Sequence, residues 1–532
     1  MTWHAASFLL ERIAMLFAVA ALFLAVMIVP HRGWDWLRKP AGRILHHPAL
    51  AGLRRRLPGL FAFCERHFRH QGRSWLRLLL GFAFFVVGMR GFAQLLHAVL
   101  TDGRLVVADH RLHNTVALFR SVELHRFYSF VTDLAGPVLQ TVFVAALSLL
   151  LWTAGRRREA FFLIVALVGA GLFSVFLKLL VHRPRPAEVQ SFQSGWSFPS
   201  GHTLSATAVY GFLIYLLLRD EPRRWWHYVL IVPLLALIVL VPLSRVYLGV
   251  HWPYDTVASL ALGISWLSIL ITLYKFPPLE QRLPLSTEKL RPWAGPAIAG
   301  LSALLVGIAV VWGFRAPLPR AEPPGVPLAR VPPDFVLHGF PPMLEKTSED
   351  LVGGPMEPIA FVFLGADPKV VQSFERAGWS LAETPSVRGL GREILAVVAD
   401  RPDPTGPATP AYYSGRPQDL AFERPGDPTG SIRRRHHIRL WRTPFCLDPG
   451  CEEIWVATSS YDAGVKLVPK PYLITHRIDP EIDRERATIE HDLLAAGARE
   501  LGRVVVTGPK RGTNAGGDSF RTDGQACVIE FL

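Results

Sequence analysis

Apolar residues come in long runs over the first 314 positions and in short alternating stretches after that. About 20 apolar residues cross a bilayer as a helix. Eight runs approach that length, roughly 9–30, 75–98, 134–153, 160–181, 203–218, 227–243, 254–274 and 294–314. The fifth and sixth are the shortest. The first does not read as a cleaved signal, because it lacks a basic n-region and Pro30-His31-Arg32 follows it. Arg90 falls inside the second run and is expected to snorkel or face the bundle. Residues 315–343 are rich in proline and predict a semi-rigid linker. Beyond 355 the pattern is that of a soluble α/β domain. Strands are predicted at Ile359–Leu364, Ile394–Val398, His437–Trp441, Ile454–Ala457, Val504–Val506 and Cys527–Phe531. Helices are predicted through Val370–Gly378 and from Pro480 to Leu494. The fold class is an all-α polytopic membrane domain followed by a soluble α/β domain. The divisions fall at 1–74 (first span and basic loop), 75–275 (membrane core), 276–314 (last span), 315–354 (linker) and 355–532.

The net charge of +14 then acquires a membrane explanation rather than a nucleic-acid one. The segment 32–73 holds ten Arg and Lys side chains, among them Arg54, Arg55 and Arg56, against Asp35 and Glu65. Basic loops stay in the cytoplasm. Alternating from there, Arg156-Arg157-Arg158, Arg219–Arg224 and Lys275–Arg291 also fall inside. His182–Thr203 and Ser244–Asp255 consequently share the outer face, and the α/β domain lies outside as well. A bacterial inner membrane with its site facing the periplasm suits this topology. Between the second and third spans, Leu105–Ala108 is predicted to be extended and Asn114–Leu124 to form an interfacial amphipathic helix that covers the site or touches lipid.

Three polar clusters interrupt the apolar runs at that outer face. They are Lys178-Leu-Leu-Val-His-Arg-Pro-Arg185-Pro186, Phe198-Pro-Ser200-Gly201-His202-Thr203, and Ser244-Arg245-Val-Tyr-Leu-Gly-Val-His251-Trp-Pro-Tyr-Asp255. Charged groups at membrane depth are costly unless they function. Lys178, Arg185 and Arg245 supply cations for a phosphate. Ser200 adds a hydroxyl, Gly201 permits close backbone approach, and the helix start at His202 adds free N–H groups. His251 and Asp255 are four apart. A carboxylate on one ring nitrogen leaves the other free to attack phosphorus, and His202 can protonate the departing alkoxide. No Asp/Glu pair in the spans suggests magnesium, so a metal-free route with no cofactor is expected. His182 and Arg183 are expected to touch substrate or to anchor the interface. Trp196, Trp252 and Tyr254 read as an aromatic belt.

These clusters resemble the type-2 phosphatidic acid phosphatase superfamily, whose pattern is K-x6-R-P, P-S-G-H and S-R-x5-H-x3-D. Lys178, Arg185 and Pro186 match the first element. Pro199, Ser200, Gly201 and His202 match the second, and Ser244, Arg245, His251 and Asp255 the third. The resemblance covers about 75–275, six of the eight spans. It implies a membrane lipid phosphatase acting on phosphate or diphosphate headgroups through a phosphohistidine on His251, with His202 as acid. Lipid phosphate and membrane lipids would be its partners. Vanadium haloperoxidases share the site but are not built from membrane spans. Lipid headgroup phosphotransferases share it too, and the motifs do not separate transfer from hydrolysis.

The C-terminal region resembles the LssY C-terminal family, through Arg435-His436-His437-Ile-Arg439-Leu-Trp441 and Thr475-His476-Arg-Ile-Asp479-Pro-Glu-Ile-Asp483. That resemblance implies an architecture more than a mechanism. It leaves open a second class of function, in which the chain is an envelope or export component whose outer domain recruits a protein partner. His436, His437, His476, Asp479, Asp483 and His491 suggest a metal or polar site, but adjacent histidines on a strand point to opposite faces, which favours packing roles. Four cysteines are too few for a disulfide framework. Cys446 and Cys451 allow one local bridge outside the cytosol, and Cys64 reads as a free thiol.

Overall fold

A computed structural model of the chain describes residues 80–101, 103–186, 195–219, 225–275, 293–315, 328–399, 401, 403, 405–427, 431–468 and 473–532. The predicted first span, the basic loop with Cys64, and residues 316–327 of the proline-rich linker lie outside the described residues. Two compact units emerge, one of 12–101 with 122–319 and one containing 102–121 with 320–532.

The first unit is helical: α1 (Leu80–Leu100), α3 (Val122–Leu134), α4 (Pro137–Thr153), α5 (Arg157–Val181), α6 (Gly201–Arg219), α7 (Trp225–Tyr247), α8 (Pro253–Tyr274) and α9 (Ala294–Arg315). Among the described residues six of these are long and apolar enough to cross a membrane; α3 and α4 form a seventh if taken as one span bent by 43°. The protein is an integral membrane protein. The α3–α4 bend sits at Gly136, with Pro137 opening α4. Proline at N1 removes only an amide that a helix start leaves unpaired anyway. Leu172, Phe176 and Leu179 on α5 and Val232 on α7 are more than half exposed, which is what a lipid-facing surface requires. Arg90 is exposed on α1.

Helices α6 and α8 form the centre, with 72% of each span buried against 39% or less in the others. Small residues let them approach: a Cβ at Gly263 would lie 2.7 Å from Thr207 Cβ. At one end, Arg219 of α6 donates to Glu159 of α5 at 3.0 Å, and Arg158 bonds the carbonyl of Tyr274 on α8. Pinned there, α5, α6 and α8 bring their opposite ends together. Those ends carry Lys178, His202 and Asp255.

The second unit is α/β. Its helices are α2 (Arg104–Leu118), α10 (Asp367–Arg376), α11 (Val387–Ala399) and α12 (Ile482–Ala495). The central sheet takes β4 (Phe361–Leu364), β5 (Ser380–Leu381), β8 (Leu420–Pro425), β9 (Arg435–Leu447), β10 (Glu452–Val468), β12 (Arg499–Val505) and β15 (Gln525–Glu530) in the order β12-β15-β4-β10-β9-β8-β5. Edge strand β1 (Ala329–Val331) adds to β9, and β11 (Leu473–Ile478) to β10. Most pairs are antiparallel; β4 with β15 and β1 with β9 are parallel. Phe374, Ile489 and Leu493 cover one face, and Val336, Leu344 and Trp441 pack on the other. A small sheet of β2 (Thr347–Glu349), β3 (Pro355–Pro358), β6 (Tyr412–Tyr413) and β7 (Arg416–Pro417) completes the unit, and Cys446 and Cys451 are joined across the β9–β10 hairpin.

Two local expectations are corrected. Leu105–Ala108 is not extended; it is the first part of α2, which ends at Leu118, five residues into the predicted amphipathic segment. In α2, Arg111 pairs with Glu349 and lies over the Tyr412 ring, and Asn114 donates to the carbonyl of Gly415 at 3.0 Å. The polar face of α2 thus belongs to the α/β unit. Ile394–Val398 is helical, within α11. A five-residue apolar run fits either state, and Leu390, Ile394 and Val397 also follow helical spacing.

Candidate active site

The third cluster is shaped by a helix end and a helix start. Helix α7 stops at Tyr247, and Gly249 turns the chain with a positive φ of 74°. A side chain there would be strained. The turn carries the chain back over α7, so that the amides of Val250 and His251 both donate to the carbonyl of Arg245, at 3.2 and 3.3 Å. Pro253 then opens α8, and Asp255 sits in its first turn, where its Oδ2 accepts the amide of Trp252 at 3.1 Å. A carboxylate is favoured at that position by the unpaired amides and the helix dipole. The spacing from Arg245 to His251 to Asp255 is therefore the length of one helix–turn–helix junction.

His251 is buried and its two nitrogens face different groups. Nδ1 lies 3.4 Å from Asp255 Oδ2, and Nε2 lies 3.4 Å from Arg185 Nη1. Burial pushes its imidazole down to about 4, against the opposing pull of Asp255. A neutral ring protonated on its Asp255-facing nitrogen would carry its lone pair on the nitrogen that faces Arg185.

Arg185 stands on the Nε2 side, and two further cations are near. Arg185 follows the end of α5, where His182 adopts a left-handed conformation that terminates the helix. The guanidinium of Arg185 is fastened by the carbonyls of Val250, at 2.7 Å, and Gly195, at 3.2 Å. Arg245 is buried and donates to Thr132 of α3 at 2.8 Å. Lys178, in the last turn of α5, is within electrostatic reach of Arg185, Arg245 and Asp255. His202, at the start of α6, is within the same reach of Arg245, His251, Lys178 and Arg185. Chain segments far apart in sequence thus meet around one point.

Ser200 and Gly201 have partners beyond the roles expected of them. The Ser200 amide donates to Ser259 at 2.7 Å, and its hydroxyl accepts from Thr203 at 3.2 Å, leaving its own proton to offer. A Cβ on Gly201 would lie 3.0 Å from Ser174 Oγ, so glycine permits the close approach of α5. Trp196 meets the ring of His182 edge-on at 4.8 Å.

Four contributors were not among the predicted site residues. Arg183 holds Asp255 Oδ1 at 2.7 Å, and the Ser197 hydroxyl bonds Oδ2. Thr132 anchors Arg245, and Ser259 anchors Ser200. Only Arg183 left a trace in the sequence, as a second cation in Arg183-Pro-Arg185-Pro186.

Residues 159–277 match the model of the PAP2 superfamily. All three clusters lie within this PAP2 region, and residues 342–526 match the model of the LssY C-terminus. Phosphatidylglycerophosphatase B of Bacillus subtilis is 26% identical over 175 residues, which is 32% of this chain and 86% of that protein. Undecaprenyl-diphosphatase of Sulfolobus acidocaldarius is 29% identical over 185 residues, 31% of this chain and 81% of that protein. The crystal structure of a transmembrane PAP2-type phosphatidylglycerolphosphate phosphatase from Bacillus subtilis covers 37% of this chain and 96% of its own, at 22% identity and a TM-score of 0.33. The PAP2 region of this chain is thus similar to membrane lipid phosphatases.

In the LssY C-terminal region His436 and His437 are tied into packing networks. His436 and His437 point to opposite faces of β9. His436 Nδ1 bonds Glu485 at 2.7 Å; His437 Nε2 bonds Ser460 at 2.7 Å and its Nδ1 lies 3.4 Å from Asp462. Asp479 accepts the amide of Glu481, and Asp483 accepts from Thr522 and from the amide of Asp523. Among the described residues, the group with ligand atoms close enough to hold a metal is Glu490, Glu500 and Cys527, and both oxygens of Glu490 already accept from Arg503.

Proposed function

We propose that this chain is a metal-independent membrane phosphatase that removes phosphate from lipid phosphate or diphosphate headgroups through a phosphohistidine. The observation that carries this reading is the polarity of His251: its Nδ1 faces the Asp255 carboxylate and its Nε2 faces the Arg185 guanidinium. In the first step the Nε2 lone pair attacks phosphorus, the bond from phosphorus to the lipid oxygen breaks, and His202 gives its proton to that oxygen. In the second step His202 takes a proton from water, the hydroxide attacks phosphorus, and the bond from phosphorus to Nε2 breaks, releasing inorganic phosphate. Lys178, Arg185 and Arg245 offset the charge on the transferring group, Ser200 donates its hydroxyl, and the first turn of α6 from Gly201 contributes its dipole.

The loop charges argue for a site and an α/β region outside the cytosol, at the periplasmic face of a bacterial inner membrane. The Cys446–Cys451 disulfide supports the same side, since such bonds persist in oxidising compartments. The relatives named above make phosphatidylglycerol phosphate and undecaprenyl diphosphate the first substrates to try. The test is phosphate release by the purified full-length chain in detergent, from a panel of lipid phosphates and diphosphates. Turnover that persists with a chelator and vanishes in His251→Ala supports the reading. Full activity in His251→Ala, or none in the wild type across the panel, overturns it.

A further inference from the structure

Asp255 is the most heavily engaged side chain of the site, and only one of its partners is a reacting group. Its Oδ1 takes Arg183 Nη1 at 2.7 Å. Its Oδ2 takes the Ser197 hydroxyl and the Trp252 amide, and also faces His251 Nδ1. With these donors and a salt bridge on it, the carboxylate stays ionised. It cannot serve as a proton store, so what it gives His251 is orientation and a fixed negative charge.

Arg183 is itself held in place. It is buried, its carbonyl accepts the amide of Ser197 at 2.8 Å, and its guanidinium lies over the Trp252 ring at 5.5 Å. Trp252 Nε1 in turn donates to the carbonyl of Pro184 at 2.9 Å. The segment after α5, the segment before α6 and the segment before α8 are therefore stitched together around one carboxylate. An interface anchor would be exposed and would point away from it.

We propose that Arg183, assisted by Ser197, is the positioning residue that sets the Asp255–His251 pair, a role that rests on the phosphatase reading above. The guanidinium fork of Arg183, bonded to Oδ1 through Nη1, restrains the carboxylate and so presents Oδ2 to Nδ1. It also draws part of the carboxylate's charge away from the imidazole. The other charged and titratable groups facing His251 are Arg185 and Arg245, with Lys178 and His202 beyond them; all stay in place when Arg183 is changed. Without Arg183, the carboxylate acts on His251 alone, and the imidazole becomes easier to protonate.

Two measurements on the full-length chain in detergent test this. The first is the pH profile of phosphate release for wild type, Arg183→Met, Arg183→Lys and Ser197→Ala. The second is a ¹³C-histidine NMR titration of His251, assigned by its loss in His251→Ala, which needs no turnover. Arg183→Met is expected to lower kcat about 100-fold with KM nearly unchanged. Its acid limb and the His251 midpoint should rise together by about one pH unit. Arg183→Lys restores the charge but not the fork, so its midpoint returns to the wild-type value while kcat recovers only in part. Ser197→Ala is expected to do the same as Arg183→Met, more weakly. An Arg183→Met protein with a wild-type midpoint overturns the proposal, whether its kcat is normal or its only defect is stability. If the wild type releases no phosphate but the NMR midpoint moves as stated, the phosphatase reading fails and the positioning role stands.

Discussion

His251 Nδ1 lies 3.4 Å from Asp255 Oδ2, four residues later in the chain and across the start of a helix. In the proposed mechanism that contact leaves the opposite nitrogen to attack, and the leaving oxygen is to be protonated by another group. His202 is the histidine within reach. Acid help of this kind contributes about 10²–10⁴-fold. His202→Ala is expected to lose about that much kcat/KM, which reports the first step alone, on an alkyl lipid phosphate, and far less on p-nitrophenyl phosphate, whose phenolate leaves without a proton. The ratio of the two losses is the measurement. Equal losses on both substrates would remove His202 from the acid role.

The pH profile follows from burial. The reactive form of His251 is neutral, and burial holds its pKa near 4 rather than at an ordinary imidazole value. The group loses its nucleophile only when the pH falls through that value. kcat/KM is therefore expected to stay level from neutral pH to about 5 and to fall tenfold per unit only below about 4. A limb near 6.5 would mean an exposed or differently paired histidine.

Arg245 reaches the phosphate position only if its guanidinium is aimed, and Thr132 does part of the aiming at 2.8 Å. Thr132→Val keeps the shape and removes the acceptor. Leaving a buried charged donor short of a partner costs about 1–3 kcal/mol. A drop of about tenfold or more in kcat/KM is expected, with the helical content unchanged by circular dichroism.

The His251–Asp255 contact of the candidate site was legible in the sequence because it is short-range. A helix end, a glycine turn and a proline start fit between Arg245 and Asp255, so spacing alone placed His251 against its carboxylate. Arg183 was legible only as a nearby cation and Ser197 not at all, because their contacts with Asp255 span 72 and 58 positions and depend on the path of two loops. The spans were readable from length and apolarity. Helix α2 was not, since its polar residues are satisfied by Glu349, Tyr412 and Gly415, more than 200 positions away. Ile394–Val398 was misread as a strand because a short apolar run carries no period of its own.

In the α/β unit, Arg435 is buried between Glu423 at 2.6 Å, Asp462 at 3.2 Å and Glu393 at 3.6 Å. Removing one partner from a buried ionic network costs about 3–5 kcal/mol, because the remaining charges stay uncompensated. Arg435→Met is expected to destabilise this unit by about that amount, while Arg388→Met, at an exposed position of α11, should cost little. Thermal unfolding of the full-length protein, followed by proteolysis within residues 355–532, reads the difference. Equal stability of the two variants would show that the network carries little of the fold.

The central claim is that phosphate rests covalently on His251 between two steps. Rapid quenching of the full-length protein with a radiolabelled lipid phosphate tests it most directly. The account predicts a phosphoryl label that survives alkali, is lost in acid, maps to the peptide containing His251, and is absent from His251→Ala. Steady turnover with no label on that peptide, or the same label in His251→Ala, would contradict it.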